Sequence, residues 1–415
     1  MEGKHLDELP ETEEIESDVI EVMESGNIST FGSIRNTVNK WGRVLALAAM
    51  MSGETAEAAS KDFKEVKGKT NVSHVEKESV EYKKQEQVNQ ICHRNGFKIV
   101  DAHSGAMEVH LPPGEVKKVI VFLGQVHATG TYESSSKESQ KEVVESQHTI
   151  FRMLEDVKML TGKKPACLLE GVVSDQQVTD SFTSEQTLET ISKTVETIVR
   201  SNSPIEKIVK SQTEAVSRYV ESRIDETDKV GLKAVTLFDL SVANKKILQN
   251  KGLSMKERTR LEKLDQGYQS QIDHGRVAYK IGGAAIAARF DYVNLLPAED
   301  QVANQNVALR VYQDLGINAG EHESFFEVIN KLPEKQKRKA HELLATYAHS
   351  KERELPTLQK SEDQLKDKET VVVIYGTMHT FEDTLKSEYS EGRMNNTAMV
   401  KIDSRRVSFA SEGRK

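Results

Sequence analysis

The sequence predicts an α/β fold: a mixed, largely parallel sheet flanked by helices, with a long helical insertion or cap. Three observations carry this expectation. Short continuous apolar runs, Lys118–Leu123 (KVIVFL), Ala166–Leu169 (ACLL) and Thr370–Tyr375 (TVVVIY), have the character of strands buried on both faces. Long charged segments with helical periodicity lie between them. Strands that alternate with helices imply a sheet covered by helices.

The elements follow in chain order. Residues 1–30 are strongly acidic (LDELPETEEIESDVIEVME) and lack a clean apolar face, which predicts disorder or a fraying helix. Val44–Met51 (VLALAAMM) is a short apolar core. Arg35, Lys40 and Arg43 precede it, and Ala56-Glu57-Ala58 follows it. Those are the three parts of a secretory signal, although an acidic run comes first. Export and a cytoplasmic amphipathic helix both stay open for residues 1–59. Residues 60–90 are polar and of mixed charge, as a tether would be. The globular part is expected from about Ile91 to about residue 410. Phe97–Asp101 (FKIVD) and Met107–Leu111 (MEVHL) read as two strands joined at Ser104-Gly105. Lys118–Leu123 is the first buried strand, Ser135–Leu160 a helix, and Ala166–Leu169 the next strand. A helical insertion spans about 175–290, with Ile205, Ile208, Val209, Val216 and Val220 at helical spacing. Tyr292–Leu296 reads as a strand, and Glu299–Leu315 and Phe325–Ala348 as helices. Thr370–Tyr375, a helix at Phe381–Tyr389 and a strand at Ala398–Asp403 complete the chain.

Bulk properties narrow the function. Of 415 residues, 37% are hydrophobic and 29% charged, so part of the chain is solvated helix or linker. A formal charge of -8 argues against a nucleic-acid partner, which favours a basic face. No stretch approaches the roughly 20 apolar residues of a membrane span. Cys92 and Cys167 lack metal-site spacing, and Cys167 inside an apolar run reads as a small buried hydrophobe; a disulfide between the two stays open.

The chemistry gathers at three strand ends. KVIVFL runs into Gly124-Gln125-Val126-His127, TVVVIY into Gly376-Thr377-Met378-His379, and ACLL into Glu170-Gly171. In open α/β sheets, ligands bind outside the carboxyl ends of the strands. A glycine there permits a tight turn or close backbone approach, and a His three residues on can point back over the sheet edge. Composition alone gives about 0.7 Gly-x-x-His matches by chance, so placement after the two strongest apolar runs is what selects this pair. His127, Glu170 and His379 are therefore the candidate catalytic residues, acting on a small-molecule or peptide substrate.

Two chemistries fit them. In one, His127, Glu170 and His379 bind a divalent cation of the manganese, cobalt or zinc kind, which acidifies a bound water. In the other, His127 or His379 is a general base, Glu170 orients or charges it, and the second His stabilises an oxyanion. Both lead to hydrolysis or acyl transfer. Weaker candidates for substrate contact or support are Gly124, Tyr132, Glu299, Asp300, Arg353 and Gly376. Glu299 and Asp300 after Pro297 equally suit a helix N-terminus. Arg353 equally suits a solvated helix face. Small residues at Gly282-Gly283-Ala284-Ala285 suit close helix packing.

The stretches VIVFLGQVHATG, CLLEG and VVVIYGTMHTF, in that order, resemble the superfamily of TraB, Tiki, ChaN and erythromycin-esterase proteins. GGAAIAARFDYVNLLPAEDQVANQNVALRV is similar to that family's middle portion. The resemblance spans roughly residues 116–390, and its specific part is some thirty residues. It implies His127, Glu170 and His379 as site residues. It also implies one of several activities: metal-dependent proteolysis, macrolactone hydrolysis, haem binding without catalysis, or a part in pheromone shutdown. Some members place an Arg before the last strand, for which Arg353-Glu354 is the nearest match here. A non-catalytic interaction protein, with the helical middle as its binding surface, is a further alternative.

Overall fold

The computed structural model describes residues 73–97, 107–127, 132–172, 174, 202–222, 228–317, 328–329, 331–348, 351–377, 379–405 and 407. In chain order these form α1 (Ser73–Arg94), β1 (Met107–His110), β2 (Lys118–Gln125), α2 (Lys137–Thr161) and β3 (Ala166–Leu169). There follow α3 (Ile205–Ser222), α4 (Lys229–Leu248), α5 (Met255–Gln269), α6 (His274–Ile281), α7 (Gly283–Arg289) and β4 (Asn294–Pro297). The chain continues through α8 (Gln301–Leu315), α9 (Glu334–Ala348), α10 (Lys351–Gln364), β5 (Thr370–Gly376), α11 (Glu382–Ser390) and β6 (Thr397–Asp403).

The six strands form one sheet in the order β1-β6-β2-β5-β3-β4. Only β1 runs antiparallel, against β6. The others are parallel, with β2 central between β5 and β6. Every residue of β2 from Val119 to Gln125 is buried, as a continuous apolar run requires. One face alternates out of the strands as Ile120 and Phe122, Leu168, Val371, Val373 and Met399. It packs on Leu358 of α10, on Leu365 just after that helix, and on Phe381 and Leu385 at α11. Helices α1 and α2 lie against β2 as well.

Local signals explain the flanking helices. Ser136 caps α2 by accepting from the Ser139 N–H, and Gly162 ends it in the left-handed region at φ 68°. Asp300 caps α8 through the Val302 and Ala303 N–H groups. Gly283 opens α7 against α2. A Cβ there would stand 2.0 Å from the Gln147 carbonyl oxygen, so the small-residue stretch does serve close helix packing.

A second compact unit includes residues 179–282 and Thr131–Glu133. Its described part is helical, α3 to α6. Ile208, Val209, Val216 and Val220 of α3 are buried, with Val235, Leu237 and Phe238 of α4 and Leu261, Leu264 and Tyr268 of α5. Inside this unit Arg276 sits over the Tyr132 ring and Tyr279 packs edge-on to it.

Several expectations are corrected. Helix α1 takes in residues 73–90 of the expected tether and runs on to Arg94, because Val88, Ile91 and Cys92 recur on one face and are buried. Phe97 is buried but not in a strand, and residues 98–101 lie outside those described. The strand expected from Tyr292 begins at Asn294. Helix α10 occupies a stretch where no element was expected. The signal-like segment lies outside the described residues. Among those described, no helix is long and apolar enough to cross a membrane. Both cysteines are free and buried.

Candidate functional site

Strand register sets the geometry. Gln125 pairs with Gly376 and Leu169 with Ile374, so β2, β5 and β3 end nearly level. The ladder continues past the strands: the Glu170 N–H donates to the Ile374 carbonyl at 2.9 Å, and the Thr377 N–H to the Gln125 carbonyl at 3.0 Å. Glu170 is thereby fixed between the two Gly-x-x-His turns.

The Glu170 carboxylate collects four partners. His127 Nε2 stands 2.7 Å from Oε2, and the Gly376 N–H donates to the same oxygen at 2.7 Å. His379 Nε2 and Arg353 Nη2 each stand 3.5 Å from Oε1. A Cβ at Gly376 would lie 3.4 Å from the His127 ring. The glycine thus lets backbone, carboxylate and imidazole meet. Gly124 plays a different part, since a Cβ there would press on Thr377 at 3.0 Å.

Behind Glu170 lies a buried charge network. Arg353 forms an ion pair with Glu299. Glu299 also accepts from the Tyr375 hydroxyl at 3.1 Å and from the Asn304 amide. The Tyr375 ring packs edge-on to His379 at 4.8 Å, and Arg353 stands over that ring. On the far side of His379, Glu354 Oε1 is 3.5 Å from Nδ1. Burial alone would raise the Glu170 carboxyl, but His127 and His379 outweigh it and hold the group well below the usual carboxylate range. Burial likewise disfavours a charged His379, yet Glu170 and Glu354 raise it above an ordinary imidazole. Arg353, enclosed between Glu299 and Glu170, is raised above an ordinary guanidinium.

Access differs sharply within the group. The His127 side chain is 22% exposed, whereas Glu170 is 5%, His379 3% and Arg353 0%. An ionised Glu170 only accepts, so His127 Nε2 carries the proton of their hydrogen bond, and Nδ1 is the basic nitrogen of the neutral ring. The buried groups act on Glu170 rather than on anything outside.

Of the sequence candidates, the structure brings together His127, Glu170, His379, Gly376, Glu299 and Arg353. Asp300 is a helix cap, and Tyr132 belongs to the second compact unit. Arg353 is not on a solvated face but fully buried. Sequence reading missed Glu354, Tyr375 and Asn304. For Glu354 the one available signal was its place beside Arg353. Among the described residues, no group of three or more His, Cys, Asp or Glu is arranged to hold a metal ion. His127 Nε2 and His379 Nε2 each face one oxygen of the Glu170 carboxylate. No protein-family model matches the chain, and neither a curated protein nor a solved structure matches it.

Proposed function

We propose that the chain is a hydrolase of ester or peptide bonds in which His127 is the general base and Glu170 its orienting carboxylate. The observation that carries this reading is the 2.7 Å contact between His127 Nε2 and a buried, backbone-anchored Glu170. A carboxylate so held fixes one imidazole tautomer and stabilises the imidazolium that forms when Nδ1 takes a proton from water. His127 and His379 hold the Glu170 carboxyl well below the usual carboxylate range, so it remains an acceptor near neutral pH. Water attacks the substrate carbonyl as its proton passes to His127, and His127 returns that proton to the departing alcohol or amine.

The test is turnover of a panel of generic esters and peptides by wild type and His127→Ala. Removing a general base should lower kcat by about 10²–10⁴-fold. Equal turnover, or none by wild type on any substrate, overturns the reading. Metal removal separates the two chemistries that the sequence left open. Dialysis against a chelator should leave turnover unchanged. Loss of turnover, with recovery on adding manganese, cobalt or zinc, would replace the metal-free route.

A further inference from the structure

Glu354 is a buried carboxylate that the proposed reaction does not use, and its surroundings are specific. It sits on α10 next to Arg353 and is 5% exposed. Oε2 accepts from the Thr384 hydroxyl at 2.7 Å. Oε1 faces the Phe381 N–H at 3.4 Å and His379 Nδ1 at 3.5 Å. Phe381 starts α11 in the left-handed region, at φ 56°, with no side-chain cap of its own. One carboxylate therefore meets three features of the turn that carries His379.

Charge discriminates between two roles for it. As a helix cap alone, Glu354 would need only an acceptor oxygen, and a neutral amide would serve. A buried carboxylate, however, is costly without a cation. The Phe381 N–H and Thr384 hydroxyl are neutral donors. Among the described residues, His379 is the one cationic side chain within 4 Å of Glu354, and Lys401 acts on that carboxylate from further off. The opposite edge of that imidazole, Nε2, faces Glu170. Tyr375 fixes the ring from the side, and the His379 N–H is tied to the Gly376 carbonyl at 3.0 Å.

We propose that Glu354 is the positioning residue for His379: it holds the Nδ1 edge of the ring so that the Nε2 edge stays on Glu170. The inference rests on the hydrolase reading for its consequence in catalysis, but not for its geometry. Glu354 acts through His379 and Glu170 and touches no reacting atom.

The experiment compares wild type, Glu354→Gln and Glu354→Ala in histidine-labelled full-length protein, with the His379 ring signals assigned by their loss in His379→Gln. Glu354→Gln keeps one acceptor oxygen for the Phe381 N–H, and its amide N–H can donate to the Thr384 hydroxyl, so the cap is retained while the charge is lost. A carboxylate-bound Nδ1 proton gives a strongly downfield resonance. That resonance is expected in wild type and absent in both variants, while the melting temperature of Glu354→Gln stays near wild type. In the same samples kcat should fall at least tenfold in Glu354→Gln with KM unchanged, since about 1.4 kcal/mol of lost orientation is a factor of ten. A downfield signal that persists in Glu354→Gln, or is missing from wild type, overturns the proposal. A wild type without turnover but with the resonance present, and lost in Glu354→Gln, would sink the hydrolase reading and uphold the positioning role.

Discussion

Glu170 and Arg353 are mutually dependent, and that dependence sets the largest single-residue effects. Arg353 has its guanidinium between two buried carboxylates, Glu170 and Glu299. Arg353→Ala leaves both carboxylates buried without that cation. Breaking a buried pair by removing one partner costs about 3–5 kcal/mol. The denaturant midpoint should fall accordingly, and a loss in the range of a surface pair, under about 1 kcal/mol, would contradict the network. His379 gives a pH dependence with a definite sign. Its folded value is raised, so its contribution to stability is fully present below the unfolded imidazole value and is lost as pH rises through the folded one. Glu170 is lowered, so its contribution is lost only on strong acidification. Thermal stability should therefore decline from neutral toward alkaline pH, and His379→Gln should flatten that decline. A wild-type profile as flat as the variant's would refute the assignment. His127, Glu170 and His379 were legible at this scale because each directly follows an apolar strand. Arg353 was not, because nothing local distinguishes a buried arginine from a solvated one.

Elements were legible to the degree that their buried faces are apolar. Strands β2, β3 and β5 announce themselves as unbroken runs, since both faces of a central parallel strand are covered. Helix α10 inverts the usual pattern. Its buried positions are Arg353, Glu354, Thr357, Leu358 and Ser361, mostly polar, because it packs over the charged strand ends as well as the core. The Thr357 hydroxyl donates to the Ala298 carbonyl at 2.9 Å and the Ser361 hydroxyl to the Thr357 carbonyl at 2.8 Å. Periodicity of apolar residues cannot find such a helix. The α7–α2 contact yields a prediction at the same scale. Gly283→Ala places a Cβ 2.0 Å from the Gln147 carbonyl oxygen and 2.9 Å from the Phe151 nitrogen, both backbone atoms. Alanine gains up to about 1 kcal/mol in helix propensity, but overpacking against backbone costs about 1–3 kcal/mol or more. Net destabilisation is expected from chemical unfolding; a stabilised variant would show that α7 does not approach α2 so closely.

At the scale of the molecule, the α/β class was readable from strand–helix alternation, and so was the placing of His127, Glu170 and His379 at the carboxyl ends of parallel strands. The division into two compact units was readable only as a long helical span, because periodic helices do not state which core they join. In the proposed reaction His127 and Glu170 act as one unit. A double-mutant cycle tests it most directly: kcat/KM for wild type, His127→Ala, Glu170→Gln and the double variant on the best substrate of the panel. If the two residues work as one device, each single change removes nearly all that the pair supplies, and the double variant is no worse than either. Multiplicative losses, or a Glu170→Gln variant as active as wild type, would show that His127 and Glu170 do not act together.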